Sequence, residues 1–234
     1  MRYNYKVDID LSDENTSWAH IIHLVGRDKR VLDIGCATGH LTKHLAANGC
    51  SVVGVEIERE FASEAEHYCE EIIVGDIRAD STIGKVKGKF DVIVFGDVLE
   101  HLSNPETVLG KVKGLLKEDG FVVVSLPNIA LWRIRVALLF GRFDYTDRGV
   151  LDNTHLRFFT LKSAKELLQA AGYAYEHLCY RFDIPFYSRR LARYTIYLAD
   201  IVPWIFRKLL PTLFAFQFIF MARPVGTSEA IKPE

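Results

Sequence analysis

Short apolar runs, each carrying an acid at or near its end, recur along the first half of the chain. Val31, Leu32 and Ile34 form the first, with Asp33 set among them just before a glycine. Ser51-Val-Val-Gly-Val-Glu56, Glu71-Ile-Ile-Val-Gly-Asp76 and Phe90-Asp-Val-Ile-Val-Phe-Gly-Asp97 follow the same plan. Such runs, rich in branched residues, predict strands buried on both faces. Segments with helical spacing separate them. In residues 18–26 Trp18, Ile21, Ile22 and Val25 recur at helical intervals behind an Asn15-Thr16-Ser17 cap; residues 40–47 and 61–68 make the next two helices. A fifth strand is predicted within 117–128, a helix capped by Thr160 running through Ala171, a sixth strand over 173–182 and a last one over 213–222. Strand and helix in alternation predict one α/β domain over residues 1–234, a seven-stranded, mostly parallel sheet with helices on both faces.

In a doubly wound sheet the carboxyl ends of the strands lie on one edge. Asp33, Glu56, Asp76 and Asp97, about 20 residues apart, are therefore read as lining one pocket rather than as four separate helix caps. A carboxylate at the end of a buried strand is costly unless a donor or ligand meets it. The loop after the first strand is Asp33-Ile-Gly35-Cys36-Ala37-Thr38-Gly39. Its glycines permit a tight turn and close approach of a ligand to the backbone. The spacing is not the Gly-x-Gly-x-x-Gly of dinucleotide sites, and no P-loop Lys-Ser/Thr pair follows. The loop resembles the first motif of class I S-adenosylmethionine (SAM) methyltransferases. The chemistry of the acids agrees. Glu56 suits the vicinal diol of a ribose. Asp76, with the backbone of Ile77, suits the amine and ring nitrogen of adenine. Asp33 and the glycine loop suit an amino-acid tail. A cluster of acids favours a cationic sulfonium and disfavours a pyrophosphate.

The resemblance becomes specific at Asp97-Val-Leu-Glu-His101-Leu, a strand-four ending shared by a large group of these enzymes. Val31 to Gly39, Val53-Gly-Val-Glu56, Gly75-Asp76 and the Gly120 turn with its Pro127-Asn128 exit match as well, so the resemblance spans about residues 17–222. It implies a Rossmann-like fold with an antiparallel last strand, and SAM as methyl donor with S-adenosylhomocysteine as product. It also implies a cofactor set of Asp33, Gly35, Cys36, Ala37, Gly39, Glu56, Ile57, Asp76, Ile77, Gly96, Asp97, Val98 and His101. Ala37 stands where the family usually has glycine; its small methyl is expected to be tolerated.

Composition narrows the partners. A formal net charge of -1 gives no general field for nucleic acid. Cys36, Cys50, Cys69 and Cys179 lack paired metal-ligand spacing, so no metal site or disulfide framework is expected. The polar N-terminus, with Asp8, Asp10, Asp13 and Glu14, reads as no signal peptide and predicts a cytoplasmic location.

The core, about 17–128 and 160–222, leaves two stretches for a cap. The first, about 130–160, mixes arginines with aromatics and resembles a methyltransferase subgroup often linked to glycan or cell-surface polysaccharide assembly. Arg133, Tyr145, His155 and Arg157 of this stretch, with Asn128 just before it, are the acceptor candidates: aromatic faces stack on rings, and arginines hold phosphate or carboxylate. His155 is the first candidate for a proton acceptor and His101 the second. The competing reading is that His101 packs beside the cofactor, and that His155 and Arg157 pin the lid to the fifth strand. The second stretch, 185–211, interleaves basic and aromatic residues and reads as two short helices broken at prolines. It is either a solvated cap or a contact with an anionic membrane surface. The preferred reaction is O-methylation of a sugar or lipid-linked glycan precursor. A small apolar acceptor such as a quinone precursor, or a non-catalytic SAM-binding module, stands as the alternative. The oligomeric state is left open.

Overall fold

The computed structural model describes residues 13–183 and 208–225. Seven strands form one sheet: β1 (Arg30–Ile34), β2 (Ser51–Glu56), β3 (Glu71–Val74), β4 (Phe90–Gly96), β5 (Leu116–Pro127), β6 (Tyr173–Phe182) and β7 (Ala215–Pro224). Their order is β3-β2-β1-β4-β5-β7-β6. The first five run parallel, and β7 is antiparallel to both β5 and β6. This is the predicted sheet, including its reversed last strand. Strand order reverses between β1 and β4, so the crevice of the sheet opens at the carboxyl ends of those two strands.

Alternation along the strands divides the core into two layers. Leu32, Ile34, Ile93, Phe95, Val122 and Val124 pack on one face. There they meet α5 (Pro105–Val112) through Val108, Leu109 and Val112, and α7 (Leu161–Ala170) through Ala164, Leu167 and Leu168. Val31, Val92, Val94, Phe121 and Val123 face the other way. They are covered by α1 (Ser17–Val25) through Ile21, Ile22 and Val25, and by α2 (His40–Ala47) through Leu41 and Leu45. The predicted caps are present. Thr16 Oγ1 accepts from Ala19 N–H at 3.1 Å, and Thr160 forms a reciprocal capping box with Ser163.

The other α-helices among the described residues are α3 (Arg59–Ala65), α4 (Asp80–Ile83), α6 (Trp132–Leu139) and α8 (Pro211–Phe214). Two predicted boundaries shift. The helix expected over 61–68 begins at Arg59 and tightens into a 3-10 turn over Glu66–Tyr68. The last strand starts later than expected, because Pro211 opens one helical turn before it. The N-terminal residues expected to wrap the outside, and most of the cap expected over 185–211, lie outside the described residues.

Asn128 departs from its expected role at the acceptor. It is fully buried at the exit of β5. Its Nδ2 donates to the Thr212 and Ala215 carbonyls, each at 2.8 Å, and its Oδ1 accepts from Ala130 N–H at 3.0 Å. It ties β5 to the start of β7 and is not available to a ligand. Asn128→Ala would leave two buried carbonyls without this donor. It is expected to cost about 2 kcal/mol of stability, read as a lower urea midpoint with unchanged SAM affinity.

Candidate functional site

The crevice is built from the loop after β1 and the turn after β4. Gly35 and Gly39 adopt left-handed φ angles of 70° and 78°. At Gly39 a Cβ would sit 2.9 Å from the Ala65 Cα, so only glycine lets the loop pass α3. Ala37 also has a positive φ, 48°. The methyl group is thus tolerated at a cost of about 1–2 kcal/mol of backbone strain. What holds it is Glu56. The Ala37 N–H donates to Glu56 Oε2 at 2.9 Å, and the Glu58 N–H donates to Oε1 at 2.9 Å. Glu56 is buried, and its carboxylate fixes the glycine loop from the next strand.

Asp33 is buried beneath that loop and accepts from Thr42 Oγ1 of α2 at 2.7 Å. Burial pushes its carboxyl up to about 7, against the Thr42 hydrogen bond and with a further upward push from the Glu56 charge. Asp97 also has a positive φ, 59°. Its Oδ1 accepts from Ser125 Oγ at 2.5 Å and from Gln217 Nε2 at 2.7 Å. Asp76 differs from the others. Its carboxylate is held by Arg78, with Nε at 3.0 and 2.9 Å from its two oxygens. Those hydrogen bonds keep its pKa below the usual carboxylate range. Asp76 therefore sits partly exposed in an ion pair, whereas Asp33 and Glu56 are buried. Ile77 is buried, whereas Ile57, directly after Glu56, is 55% exposed.

Gly35, Gly96 and Val98 close the junction between the two loops. A Cβ at Gly35 would lie 2.6 Å from Val98 Cγ2, and one at Gly96 would lie 3.4 Å from Trp18 Cζ3. Trp18 packs edge-on against His40, with ring centroids 4.7 Å apart. Cys36 is buried under the loop.

Beyond Val98 a 3-10 turn, Leu99–His101, carries two groups. Glu100 is buried, and its Oε2 has no hydrogen-bond partner; burial raises its pKa well above the ordinary value. His101 Nδ1 lies 3.1 Å from Thr154 Oγ1 and 3.3 Å from the Thr154 carbonyl. Thr154 Oγ1 in turn donates to Asp152 Oδ1 at 2.6 Å. With its proton given to Asp152, Thr154 can only accept from His101, which assigns a proton to Nδ1 and leaves Nε2 as the nitrogen that can exchange one. His155 repeats the arrangement. Its Nδ1 donates to the Val150 carbonyl at 3.1 Å, and its Nε2 lies 4.0 Å from Glu100 Oε1. The two imidazoles meet edge to face, centroids 4.8 Å apart. Burial, with the His101 charge adding to it, lowers the His155 pKa. The His155 side chain is only 5% exposed, so it stands behind His101 rather than in front of it. The ligand-type atoms of Glu100, His101 and His155 all lie within 4.8 Å of one another. One carboxylate and two imidazoles at that spacing are a metal-type donor set, brought together from segments more than 50 residues apart, where the cysteine spacing predicts no metal site.

The remaining acceptor candidates are engaged elsewhere. Arg157 Nε and Nη2 donate to the Ser103 carbonyl at 3.0 and 2.6 Å, and its N–H donates to the Glu100 carbonyl at 3.0 Å. It pins the segment after β5 to the turn after β4, not to β5 as expected. Nor do His155 and Arg157 share one face: the first is buried against Glu100, the second lies exposed along Ser103. Arg133 is paired with Asp183, Nε to Oδ2 at 2.6 Å. Tyr145 stays exposed, in an aromatic group with Phe143 and Phe158. Ser125, Gln217, Glu100 and Thr154 were not foreseen. Ser125 and Gln217 left a trace, as single polar residues within the apolar runs of β5 and β7.

A family model described as a methyltransferase domain matches residues 11–178. The ubiquinone biosynthesis O-methyltransferase of Burkholderia pseudomallei is 29% identical over 191 residues, covering 75% of this chain and 80% of that protein. The protein of the same name from Glaesserella parasuis is 35% identical over 109 residues, 43% of this chain and 46% of its own. Two solved structures, both with S-adenosylhomocysteine bound, share the fold. They are the magnesium protoporphyrin IX methyltransferase of Synechocystis (TM-score 0.57, 17% identity, 89% of this chain and 80% of that one) and the 1,6-didemethyltoxoflavin-N1-methyltransferase of Burkholderia thailandensis (TM-score 0.56, 19% identity, 92% of this chain and 80% of that one). With a glycine loop and buried carboxylates at the switch point of the sheet, and with most of its length matched by that family model, the chain belongs to the methyltransferase-domain family and is a class I SAM-dependent methyltransferase.

Proposed function

We propose that this enzyme methylates a hydroxyl oxygen on an acceptor with an apolar, aromatic part, of the quinone-precursor type. The observation that carries the reading is the His101–His155–Glu100 group at the end of β4. A hydroxyl must lose a proton as it is methylated, and His101 Nε2 is the ring nitrogen that Thr154 leaves for that role. The relatives named above as O-methyltransferases of ubiquinone biosynthesis support the same class of acceptor. The sugar or glycan acceptor has lost much of its physical basis. Asn128, Arg133 and Arg157, counted on to hold polar groups, are committed to other parts of the chain. Phe143, Tyr145 and Phe158 leave an aromatic surface for a planar ring.

The residues present fit SAM. Gly35, Cys36, Ala37 and Gly39, with Asp33 below them, would hold the amino-acid end. Glu56 would hold the ribose. Ile57 offers an exposed apolar side chain to the adenine, and Asp76 can share its carboxylate only with Arg78 already on it. Gly96, Asp97, Val98 and His101 would flank the sulfur. When bound, SAM supplies the electrophilic methyl carbon. The chain's own work is to fix the glycine loop through Glu56, to hold Asp97 through Ser125 and Gln217, and to orient the His101 imidazole through Thr154.

Transfer of label from radioactive SAM in fractionated cell extract tests the acceptor. Label in the apolar, solvent-extractable pool is expected; label confined to sugar-containing material would contradict it. Asp33 gives a pH prediction. The free protein keeps the Asp33 proton up to about pH 7, whereas a bound cation favours the carboxylate. Binding therefore releases a proton below that pH, so SAM affinity rises with pH and levels off above it, by up to about tenfold per unit. Calorimetry in buffers of different ionisation enthalpy reads this proton, and Asp33→Asn removes it.

A further inference from the structure

Helix α6 is built the wrong way round for a helix that only caps a core. It buries Ile134, which joins Leu131 and Val150 in a small cluster. At 100° per residue, Val136, Leu139 and Phe140 fall on the side opposite Ile134. Those three are 44%, 84% and 77% exposed. Leu138, nearer the buried side, is half exposed as well. Arg133 and Arg135 stand at the two flanks of this apolar arc, Arg133 paired with Asp183, and Arg142 follows the arc. Residues 129–143 contain these three arginines and no acid; Asp144 and Asp147 come after them, and Asp183 is held by Arg133. Arg135 uses its Nε on the Ala130 carbonyl, at 2.6 Å, and remains exposed. An outward apolar arc with exposed cations along one edge, Arg135 and Arg142, fits a helix lying in a lipid interface: the arc enters the acyl boundary and these two arginines meet headgroup phosphates. Among the described residues no helix is long and apolar enough to cross a membrane.

We propose that the end of α6 is an interfacial anchor that docks the enzyme on an anionic phospholipid bilayer, through Val136, Leu139 and Phe140 with Arg135 and Arg142 on the headgroups. The charge selects this occupant, since a second copy of the chain would set like-charged arginines against one another. The contact expected from sequence over 185–211 falls mostly outside the described residues, so this surface is a different one. The inference does not depend on which acceptor is methylated.

The test is flotation of the full chain with vesicles of phosphatidylcholine, alone or mixed with phosphatidylglycerol. The wild type is expected to float with the mixed vesicles and weakly with the neutral ones. Leu139→Ser with Phe140→Ser should lower partitioning by about tenfold or more. Arg135→Glu with Arg142→Glu should do the same at low salt, the difference shrinking as salt rises. Both pairs are exposed, and unchanged SAM binding confirms that the variants fold. The proposal is overturned if the wild type does not float, or if it floats equally with neutral vesicles. It also fails if neither pair changes the partition, or if sedimentation shows a dimer that the Leu139/Phe140 change dissociates.

Discussion

Glu56→Ala is expected to weaken SAM binding about thirty-fold, a loss of about 2 kcal/mol. Two effects combine. The carboxylate that would meet the ribose is removed, and with it the acceptor of the Ala37 and Glu58 N–H groups. The second effect matters because Ala37 is held at a φ of 48°, a conformation that an L-residue leaves when nothing restrains it. The loop should therefore relax in the variant even without ligand. Glu56→Gln tells the two apart. Its amide oxygen can still accept one of the two N–H groups, so the loop is partly kept while the charge is lost, and an intermediate affinity is expected. Isothermal titration calorimetry reads both, and a dissociation constant unchanged in Glu56→Ala would remove Glu56 from the site.

The second large effect is on turnover. His101→Ala should lower kcat by about 100- to 1000-fold, the usual worth of a positioned proton acceptor, while SAM affinity stays nearly the same. His155→Ala should lower it by about tenfold, because a side chain 5% exposed acts on the acceptor only through its neighbour. This reverses the order in which the sequence ranks the two histidines. Thr154→Val supplies the control for the assigned tautomer. It keeps the shape but removes the hydroxyl between Asp152 and His101, so His101 loses an orienting partner and kcat falls without loss of the base. Equal activity in His101→Ala and wild type would show that the acceptor needs no base from this chain. Dialysis against a chelator belongs beside these assays, since Glu100, His101 and His155 also form a metal-type donor set. Activity lost to the chelator and restored by a divalent ion would replace the proton-acceptor reading.

Much of this was legible in the sequence because it is local. Buried parallel strands are short apolar runs, and an acid at the end of such a run is visible against it; Asp33, Glu56 and Asp97 all lie at the crevice edge. The Ala37 substitution was also visible, although its strain needed the φ angle. What could not be read depends on contacts between distant parts of the chain. Gln217 reaches Asp97 from 120 residues away, and only the placement of β7 beside β5 makes that possible. His155 meets Glu100 because Leu156 and Arg157 donate to the Glu100 carbonyl, a link that periodicity does not announce. Asn128 looked like a polar group at a strand end, where ligands bind. Nothing in its neighbours in sequence shows that the Thr212 and Ala215 carbonyls take up its amide. The partner of Asp76 was legible locally. Arg78, two residues on, is close enough to pair with it, and a charge partner at that distance weighs against a free acid.

A crystal structure with S-adenosylhomocysteine soaked into the full chain decides whether the buried carboxylates at the switch point hold the nucleoside. The ribose hydroxyls are expected on Glu56 and the amino-acid end against the Gly35–Gly39 loop above Asp33. Nucleoside density elsewhere, or a Glu56 carboxylate turned away from the ribose, would contradict the site and the chemistry drawn from it.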